Sequence, residues 1–364
     1  MPPAKLMIAT YKARGPKKKG SRVAKVDILI PCYNYGRFLR QCVDSVLDQS
    51  MSDIRVLIID DASSDDSHAV AQSLSDADPR VSFISHAKNM GHINTYNEGI
   101  DWLEADYFLL LSADDLLVPG ALERASRIMD EHPDIVLTHG RANDWFDNTP
   151  LPTPTDTGDK GWRRQDLIKE MCENGRNLVA TPTAIVRTCV QKRIGGYLPD
   201  LPHSADMAMW LQFAALGSVA EIHAVQANYR QHSSNMSIAY YAQKLADYRQ
   251  RKAAFDSFFW RVQGSLADGE ALQAKANRKL AEQAYWTAVG QLVRGRKSNA
   301  VDLLRFATGL SPRLYYFPPF QQLLRTPNLD RVLASIAGEA ASRFLGVSKN
   351  RQVRAAPLLR VDRE

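Results

Sequence analysis

Between residues 26 and 112 the chain alternates short uninterrupted apolar runs with longer stretches of helical periodicity. The runs predicted as strands are Val26–Pro31, Ile54–Asp60, Val81–Ser85 and Tyr107–Ser112. The first stretch between them places Phe38, Leu39, Cys42, Val43, Val46 and Leu47 at the spacing of one helix face. Continuous apolar strands that alternate with amphipathic helices predict an α/β fold, with a mainly parallel sheet covered by helices on both faces.

The pattern changes near residue 239. From Tyr240 onward the chain is rich in Ala, Gln and Arg, and residues 279–311 predict a helical hairpin that is broken at Arg294–Ser298. One hairpin is too little for a solenoid, which needs three or more repeats. The predicted parts are a basic flexible tail (1–25), an α/β domain (26–238) and an all-helical C-terminal region (239–364).

The net charge of +6 is concentrated near the N-terminus, where no acid precedes Asp27. The basic residues of this tail are Lys5, Lys12, Arg14, Lys17, Lys18, Lys19, Arg22 and Lys25. Such a tail is either a solvated segment or a weak attachment to an anionic membrane, at about 1 kcal/mol per basic side chain. Nucleic acid is not an expected partner, because no aromatic residue other than Tyr11 interleaves with the basic residues.

The four cysteines lack the spacing of a metal site, and no apolar stretch is long enough to span a bilayer. The cysteines therefore indicate a reducing compartment, in which each thiol is a small buried apolar group. We expect a cytoplasmic protein, with peripheral contact at the inner face of the membrane as an additional possibility.

Acidic residues follow the predicted strands. Asp60 and Asp61 end the second strand, and Asp114 and Asp115 follow the fourth. Asp206 lies further along, at the predicted start of a helix. A single acidic pair would be explained by helix capping. Ligands of parallel sheets bind beyond the carboxyl ends of the strands, so three acidic sets at that edge favour a functional site.

Three common nucleotide-binding classes do not fit the sequence. A nicotinamide-binding Rossmann enzyme needs a glycine-rich turn after the first strand, where this chain has Pro31–Asn34. A P-loop phosphotransferase needs a GxxxxGK(S/T) segment, which is absent. A sugar nucleotidyltransferase needs an early glycine-rich loop with Arg and Lys, which is also missing.

Several segments resemble, in order, the motifs of family 2 of the glycosyltransferases. They are PCYNYGRFLRQCVDSVLDQS (31–50), VLIIDDASSDDS (56–67), NMGHINTYNEGI (89–100), LLLSADDLLVPGAL (109–122), ADMAMWLQFAALG (205–217) and YRQH (229–232). The likeness covers roughly residues 26–237. It implies the GT-A fold and an inverting transferase that uses a nucleotide-diphosphate sugar.

The resemblance also implies which residues bind the nucleotide. Pro31 and Tyr33 would line the nucleobase pocket, with Asn34 in the same turn. Asp61 would accept a hydrogen bond from the base or the ribose. Asp114 would lie at the diphosphate. A uracil nucleotide is the favoured carrier.

The remaining implied roles are metal binding and proton transfer. Asp114, helped by Asp115 and His232, would hold Mg²⁺ or Mn²⁺ on the diphosphate, where the cation neutralises the leaving group. Ser112 stands where the family often has the first acid of its DxD motif, so the metal would rest mainly on Asp114. Asp206 would act as the general base that takes the proton of the acceptor hydroxyl.

The expected acceptor is a saccharide, a lipid-linked sugar or a protein, in the synthesis of bacterial surface polysaccharide or glycoconjugate. The alternative is a non-catalytic protein of the same fold that binds a sugar nucleotide or acts as a scaffold. The missing acid at Ser112 supports that alternative. Retention of Asp61, Asp114, Asp115 and Asp206 argues against it.

Overall fold

The computed structural model describes residues 25–152, 161–236 and 243–311. The predicted basic tail lies outside the described residues except for Lys25, whose Nζ donates hydrogen bonds of 2.8 Å to the carboxylate of Asp130. The chain divides into two compact units, residues 1–276 and 277–364, which are described separately.

Strands and helices alternate through the first unit. The strands are β1 (Val26–Cys32), β2 (Ile54–Asp60), β3 (Val81–Ser85), β4 (Tyr107–Leu110), β5 (Leu116–Leu117), β6 (Ile135–Phe146), β7 (Trp162–Gln165), β8 (Ile185–Arg187) and β9 (Ser218–Gln231). The helices are α1 (Gly36–Leu47), α2 (Ser67–Ala77), α3 (His92–Trp102), α4 (Ala121–Glu131), α5 (Leu167–Asn174), α6 (Thr188–Ile194), α7 (Ala205–Leu216) and α8 (Lys244–Arg261), followed by α9 (Gly269–Val293) and α10 (Lys297–Leu310).

The strands form one mixed sheet in the order β3-β2-β1-β4-β8-β6-β9-β5, with β7 paired to β9. β1 pairs in parallel with both β2 and β4, and β2 pairs in parallel with β3. β8 is antiparallel to both of its neighbours. The predicted α/β fold with a mainly parallel sheet is confirmed. The carboxyl ends of β1, β2 and β4 meet at one edge, where the acidic residues were expected.

Helices bury both faces of the sheet, which explains the apolar strands. The predicted apolar face of α1 is buried, and β1 is buried along nearly its whole length. On α3 the approach to β1 is close, because a Cβ atom on Gly99 would lie 2.2 Å from the side chain of Leu29. Only glycine permits this packing, so Gly99 fixes the height of α3 above the strand.

The predicted helical C-terminal region is present, and the break predicted at Arg294–Ser298 is shorter in the structure because Lys297 and Ser298 already belong to the next helix. Helices α9 and α10 are separated at residues 294–296, where Gly295 has a positive φ of 73°. In this unit the buried positions are small or aliphatic: Leu280, Ala281, Ala284, Ala288, Ala300, Leu303 and Ala307. No helix of the described residues is long and apolar enough to cross a membrane.

Helix α8 begins at Lys244, within the region assigned by sequence to the C-terminal part, and lies in the same unit as the sheet. Phe255 and Phe258 of this helix are buried in that unit. The predicted domain boundary at residue 238 stays a prediction.

Candidate functional site

Two interlocked turns form the edge of the sheet after β1 and β2. Asn34 and Ala62 have positive φ angles of 58° and 59°, which cost non-glycine residues roughly 1–2 kcal/mol each. The backbone N–H of Asn34 donates to Ser63 Oγ at 2.8 Å, and Asn34 Oδ1 accepts the N–H of Ser64 at 2.8 Å. These hydrogen bonds hold the strained turns together, and such strain concentrates at ligand-binding sites.

The two other residues predicted for the nucleobase pocket lie in the first turn. Pro31 is half-buried at the end of β1, and Tyr33 exposes 49% of its surface. An exposed aromatic ring on a fixed turn can stack on a base. Pro31, Tyr33 and Asn34 thus share one turn at the sheet edge, and their role at the nucleobase stays a prediction.

Asp61 is buried and is engaged by the loop that leads into α3. Its Oδ1 accepts hydrogen bonds from the N–H of Met90 at 2.6 Å and from His86 Nδ1 at 2.7 Å, and its Oδ2 accepts the N–H of Gly91 at 2.8 Å. Burial acts to lower the pKa of His86, but the hydrogen bonds to Asp61 and Glu98 outweigh it and raise that pKa. Asp61 thus positions the start of α3, and the predicted nucleotide contact stays a prediction.

Asp114 and His232 are in direct contact although 118 positions separate them in the chain. His232 Nε2 lies 3.0 Å from Asp114 Oδ2, and both side chains are almost fully buried. Since the N–H of Ser234 donates to His232 Nδ1 at 3.2 Å, the proton of the neutral ring is on Nε2 and is donated to Asp114. Tyr35 and Phe38 pack against the imidazole ring, with centroids 5.4 Å and 4.8 Å away.

Asp115 has a different environment from Asp114. Its Oδ1 accepts the backbone N–H of Arg230 at 3.0 Å, and its Oδ2 is buried without a hydrogen-bond partner. Burial and the charge of Asp114 hold the pKa of Asp115 well above its usual range. This geometry ties the segment after β4 to the end of β9. The predicted metal-binding role of Asp115 stays a prediction.

Arg230 is buried, and its side chain joins three segments of the chain around Asp114. Its Nε donates to the carbonyl oxygen of Asp114 at 2.8 Å, and its two terminal nitrogens donate to Asp147 at 2.9 Å and to Gln41 at 2.6 Å. The guanidinium carbon lies 4.5 Å from the ring centroid of Phe38 and 3.9 Å from that of Trp145. The flat cation is therefore held between two aromatic rings while it fixes the backbone of Asp114.

We predict that Arg230→Lys lowers the free energy of unfolding by about 2–4 kcal/mol. Lysine keeps the positive charge, but it cannot reproduce the planar guanidinium group that donates to Asp114, Asp147 and Gln41 at once. Urea unfolding followed by circular dichroism measures the change. The control is Arg163→Lys, since Arg163 forms a pair with Glu170 whose side chains are 46% and 27% exposed, and this change should cost less than about 1 kcal/mol. Equal losses in both variants would contradict the role given to Arg230.

Asp206 lies in the first turn of α7, as predicted. Its Oδ2 accepts hydrogen bonds from Asn177 Nδ2 at 2.9 Å and from Thr181 Oγ1 at 3.2 Å, and its Oδ1 accepts the N–H of Met207 at 2.6 Å. Burial of the carboxyl group raises its pKa, although these hydrogen bonds and the charge of His203 act to lower it. A fixed carboxylate with a raised pKa is suited to accept a proton.

His203 connects the segment before Asp206 to helix α8. Its Nε2 lies 3.1 Å from Asp247 Oδ1, and its backbone N–H donates to Gln250 Oε1 at 3.2 Å. Asp247 is buried and also pairs with Arg251. Burial acts to raise the pKa of Asp247, but the contacts with His203 and Arg251 lower it below its usual range. His203 is thus held by a charged pair rather than left in a free loop.

The acidic groups on the two sides of the site act on one side chain. Burial raises the pKa of Tyr96 on α3, and the next two causes are the negative charges of Asp206 and Asp114. Two carboxylates that the sequence separates by 92 positions thus act on the same side chain.

The residues present fit one divalent cation with substrate ligands. Asp114 Oδ1 has no hydrogen bond within the described residues, so this oxygen is available, and Mg²⁺ needs only one or two protein carboxylates beside phosphates and water. His232 would bind a cation through the nitrogen that now donates to Asp114, so the two arrangements exclude each other. Among the described residues no group of three or more His, Cys, Asp and Glu side chains is placed to hold a metal alone.

Sequence reasoning missed the residues that support Asp206. Asn177 lies in an irregular segment and Thr181 begins a short 3-10 helix (Thr181–Thr183), and no periodic sequence pattern identifies either residue. Arg230 belonged to a recognised motif, but its partners Gln41 and Asp147 are 189 and 83 positions away. Only folding brings such partners together.

Comparisons with known proteins agree with this geometry. Residues 27–186 match the family model for glycosyl transferase family 2. An uncharacterized glycosyltransferase of Haemophilus influenzae is 24% identical over 222 residues, which cover 59% of this chain and 68% of that protein. Chondroitin synthase of Escherichia coli is 39% identical over 102 residues, which cover 28% of this chain and 15% of that protein. An uncharacterized glycosyltransferase of Rickettsia typhi is 25% identical, and the alignment covers 57% of this chain and 64% of that protein.

Solved structures share the fold. TarS residues 1–349 of S. aureus, in complex with UDP-GlcNAc, superimpose with a TM-score of 0.59 at 15% identity, over 90% of this chain and 93% of that one. A mannosyltransferase of Pyrobaculum calidifontis, in complex with GDP-Man and Mn²⁺, gives a TM-score of 0.55 at 13% identity, over 89% and 88%. At such identities the likeness shows the GT-A fold alone.

Proposed function

This chain is a glycosyltransferase of family 2, and from that premise we propose that it moves a sugar with inversion from a UDP-linked donor to an acceptor hydroxyl. The observation that carries the proposal is a pair of carboxylates held in fixed positions: Asp114 contacts His232 at 3.0 Å, and Asp206 accepts hydrogen bonds from Asn177 and Thr181 at 2.9 and 3.2 Å. One carboxylate would serve the leaving group and the other the attacking hydroxyl. A sugar between them is attacked from the face opposite the departing diphosphate.

On the donor side, Pro31, Tyr33 and Asn34 form the proposed nucleobase pocket. Asp61 keeps one acceptor position on Oδ2, since that oxygen accepts only the N–H of Gly91 among the described residues. Asp114 would hold Mg²⁺ or Mn²⁺. When bound, the cation neutralises the charge that grows on the diphosphate as the bond to the sugar breaks. TarS was solved with UDP-GlcNAc and with UDP, which supports a uracil nucleotide.

On the acceptor side, Asp206 takes the proton of the attacking hydroxyl as the new bond to the anomeric carbon forms. The bond from that carbon to the diphosphate breaks, and its electron pair leaves with the nucleotide. The hydrogen bonds from Asn177 and Thr181 fix the Asp206 carboxylate, so this group is already oriented before the reaction begins.

The proposed acceptor is a saccharide, a lipid-linked sugar or a protein. Chondroitin synthase and the hyaluronan synthase of Pasteurella multocida, which is 36% identical over 103 residues, support a role in polysaccharide or glycoconjugate synthesis. A cytoplasmic position with contact at the inner face of the membrane agrees with the basic N-terminal sequence.

The test is nucleotide release from UDP-GlcNAc, UDP-glucose and GDP-mannose, with and without MnCl₂, together with thermal shifts produced by UDP and GDP. We expect release from a UDP-sugar only with Mn²⁺ or Mg²⁺, and stabilisation by UDP more than by GDP. Binding of these ligands without turnover, over a broad set of saccharide acceptors, would favour the alternative of a non-catalytic scaffold.

A further inference from the structure

Helix α3 joins the donor side of the site to the acceptor side. At its start, Asp61 accepts the N–H groups of Met90 and Gly91. One turn later, Asn97 Oδ1 accepts the N–H of Tyr197 at 2.6 Å, and Asn97 Nδ2 donates to the Tyr197 carbonyl oxygen at 3.0 Å. The segment after Tyr197 leads to Asp206. The helix is therefore fixed both to Asp61, on the proposed nucleotide side, and to the segment that leads to Asp206.

Tyr96 lies beside this attachment and its ring is held on two sides. Its centroid is 5.4 Å from that of Tyr197 and 5.4 Å from that of His92, in edge-to-face contacts. His92 also contacts the segment that leads to Asp206 (residues 197–206, here called the acceptor segment), because its Nε2 lies 2.9 Å from the carbonyl oxygen of Pro202. Such contacts leave a tyrosine ring little rotational freedom, so the position of its hydroxyl group is set by the fold.

The hydroxyl group of Tyr96 is held near charges but has no protein partner. Within the described residues no hydrogen bond to it is formed, and the side chain is half-buried rather than enclosed. The carboxylates of Asp206 and Asp114 raise its pKa, together with burial, which is the largest cause. The group therefore stays protonated at all physiological pH values and is available as a hydrogen-bond donor.

We propose that Tyr96 is a substrate-binding residue whose hydroxyl group donates a hydrogen bond to the transferred sugar. This inference rests on the proposed function, because that function places the acceptor at Asp206 and the diphosphate at Asp114. The sugar must lie between these two groups during transfer. A hydrogen-bond donor of the protein at the position of the sugar discriminates between sugars by the placement of their hydroxyl groups.

The test compares Tyr96→Phe with Tyr197→Phe. Both changes keep an aromatic ring and remove one hydroxyl group, and the Tyr197 hydroxyl is buried without a partner. With the best donor among UDP-GlcNAc, UDP-glucose and GDP-mannose, we expect Tyr96→Phe to lower kcat/KM for transfer by about 10- to 100-fold and Tyr197→Phe to stay within about twofold of the native protein. A Tyr96→Phe variant within twofold of the native protein, or equal losses in both variants, would overturn the proposal.

A binding measurement separates this proposal from the proposed function. Calorimetry with MnCl₂ gives the dissociation constants of UDP and of UDP-GlcNAc for each protein. We expect Tyr96→Phe to weaken UDP-GlcNAc several-fold relative to UDP, because UDP lacks the sugar that the hydroxyl group contacts. If the native protein binds UDP-GlcNAc but does not transfer the sugar, the enzymatic proposal fails. The ratio of the two dissociation constants still decides the role of Tyr96. An unchanged ratio overturns it.

Discussion

Asp206→Asn should reduce sugar transfer by about 1,000-fold while nucleotide binding stays within a few-fold of the native value. A positioned general base contributes about 10²–10⁴-fold to the rate, and asparagine cannot accept a proton. The proposed nucleotide pocket lies at the turns after β1 and β2, to which Asp206 forms no hydrogen bond within the described residues. Initial rates of transfer, with calorimetric titration of UDP, measure the two quantities separately.

The matched control for this variant is Asp200→Asn, an exposed carboxylate in the same segment. It should leave the rate within about twofold, because exposed surface substitutions rarely disturb a protein. The Asp206→Asn variant should unfold within about 2 kcal/mol of the native protein, since asparagine keeps one acceptor oxygen for the hydrogen bonds from Asn177 and Thr181 and loses only the acceptor for the N–H of Met207. Normal turnover by Asp206→Asn would remove Asp206 from the mechanism.

The pH dependence should follow the raised pKa of Asp206. The carboxylate is the active form, so the rate should fall as the pH decreases through this pKa and reach its full value above it. Because burial raises the pKa, the acidic limb of kcat/KM should have its midpoint above the ordinary value of about 3.9 for aspartate. The charge of His203 acts in the opposite direction, so His203→Gln should move this midpoint to higher pH. An acidic limb that persists unchanged in Asp206→Asn would belong to another group.

The sequence predicted the architecture because its signals are local. Uninterrupted apolar strands such as Ile54–Asp60 identify a sheet buried on both faces, and the parallel arrangement follows from the helices between them. Asp60, Asp61, Asp114 and Asp115 follow strands whose carboxyl ends meet at one edge. The position of an acidic set therefore follows from the position of its strand.

The groups that each carboxylate contacts could not be predicted from the sequence. Asp114 and Asp115 are adjacent in the chain, but one contacts His232 and the other accepts the backbone N–H of Arg230. Their environments differ because neighbouring residues point in different directions from one backbone. A pattern of residue types cannot distinguish these two carboxylates, and a role in metal binding was therefore predicted for both. The proposed role of Tyr96 was likewise invisible in the sequence, because it depends on how α3 is fixed against the acceptor segment.

Removal of the divalent cation should cause the second large loss of transfer activity. Chelation with EDTA should lower the transfer rate by about 100-fold or more, because a bound cation contributes several kcal/mol to stabilisation of the leaving diphosphate. Added Mn²⁺ or Mg²⁺ should restore the rate. The assay is release of the nucleotide, measured against the concentration of free cation.

Asp114→Asn should reproduce much of this loss and raise the cation concentration needed for half of the maximal rate, since a neutral amide is a weaker ligand for a hard cation than a carboxylate. The matched control is Asp44→Asn, whose carboxylate is exposed on α1 and contacts no group of the site. The contact with His232 should persist in Asp114→Asn, because the amide oxygen can still accept the hydrogen on His232 Nε2, so the loss of rate reports the weaker cation ligand rather than a broken contact. A native protein that keeps its full rate in EDTA, together with an active Asp114→Asn variant, would show that positive side chains or backbone groups stabilise the diphosphate instead. In that case the contact of His232 with Asp114 would be purely structural, and the cation dependence would be flat in both proteins.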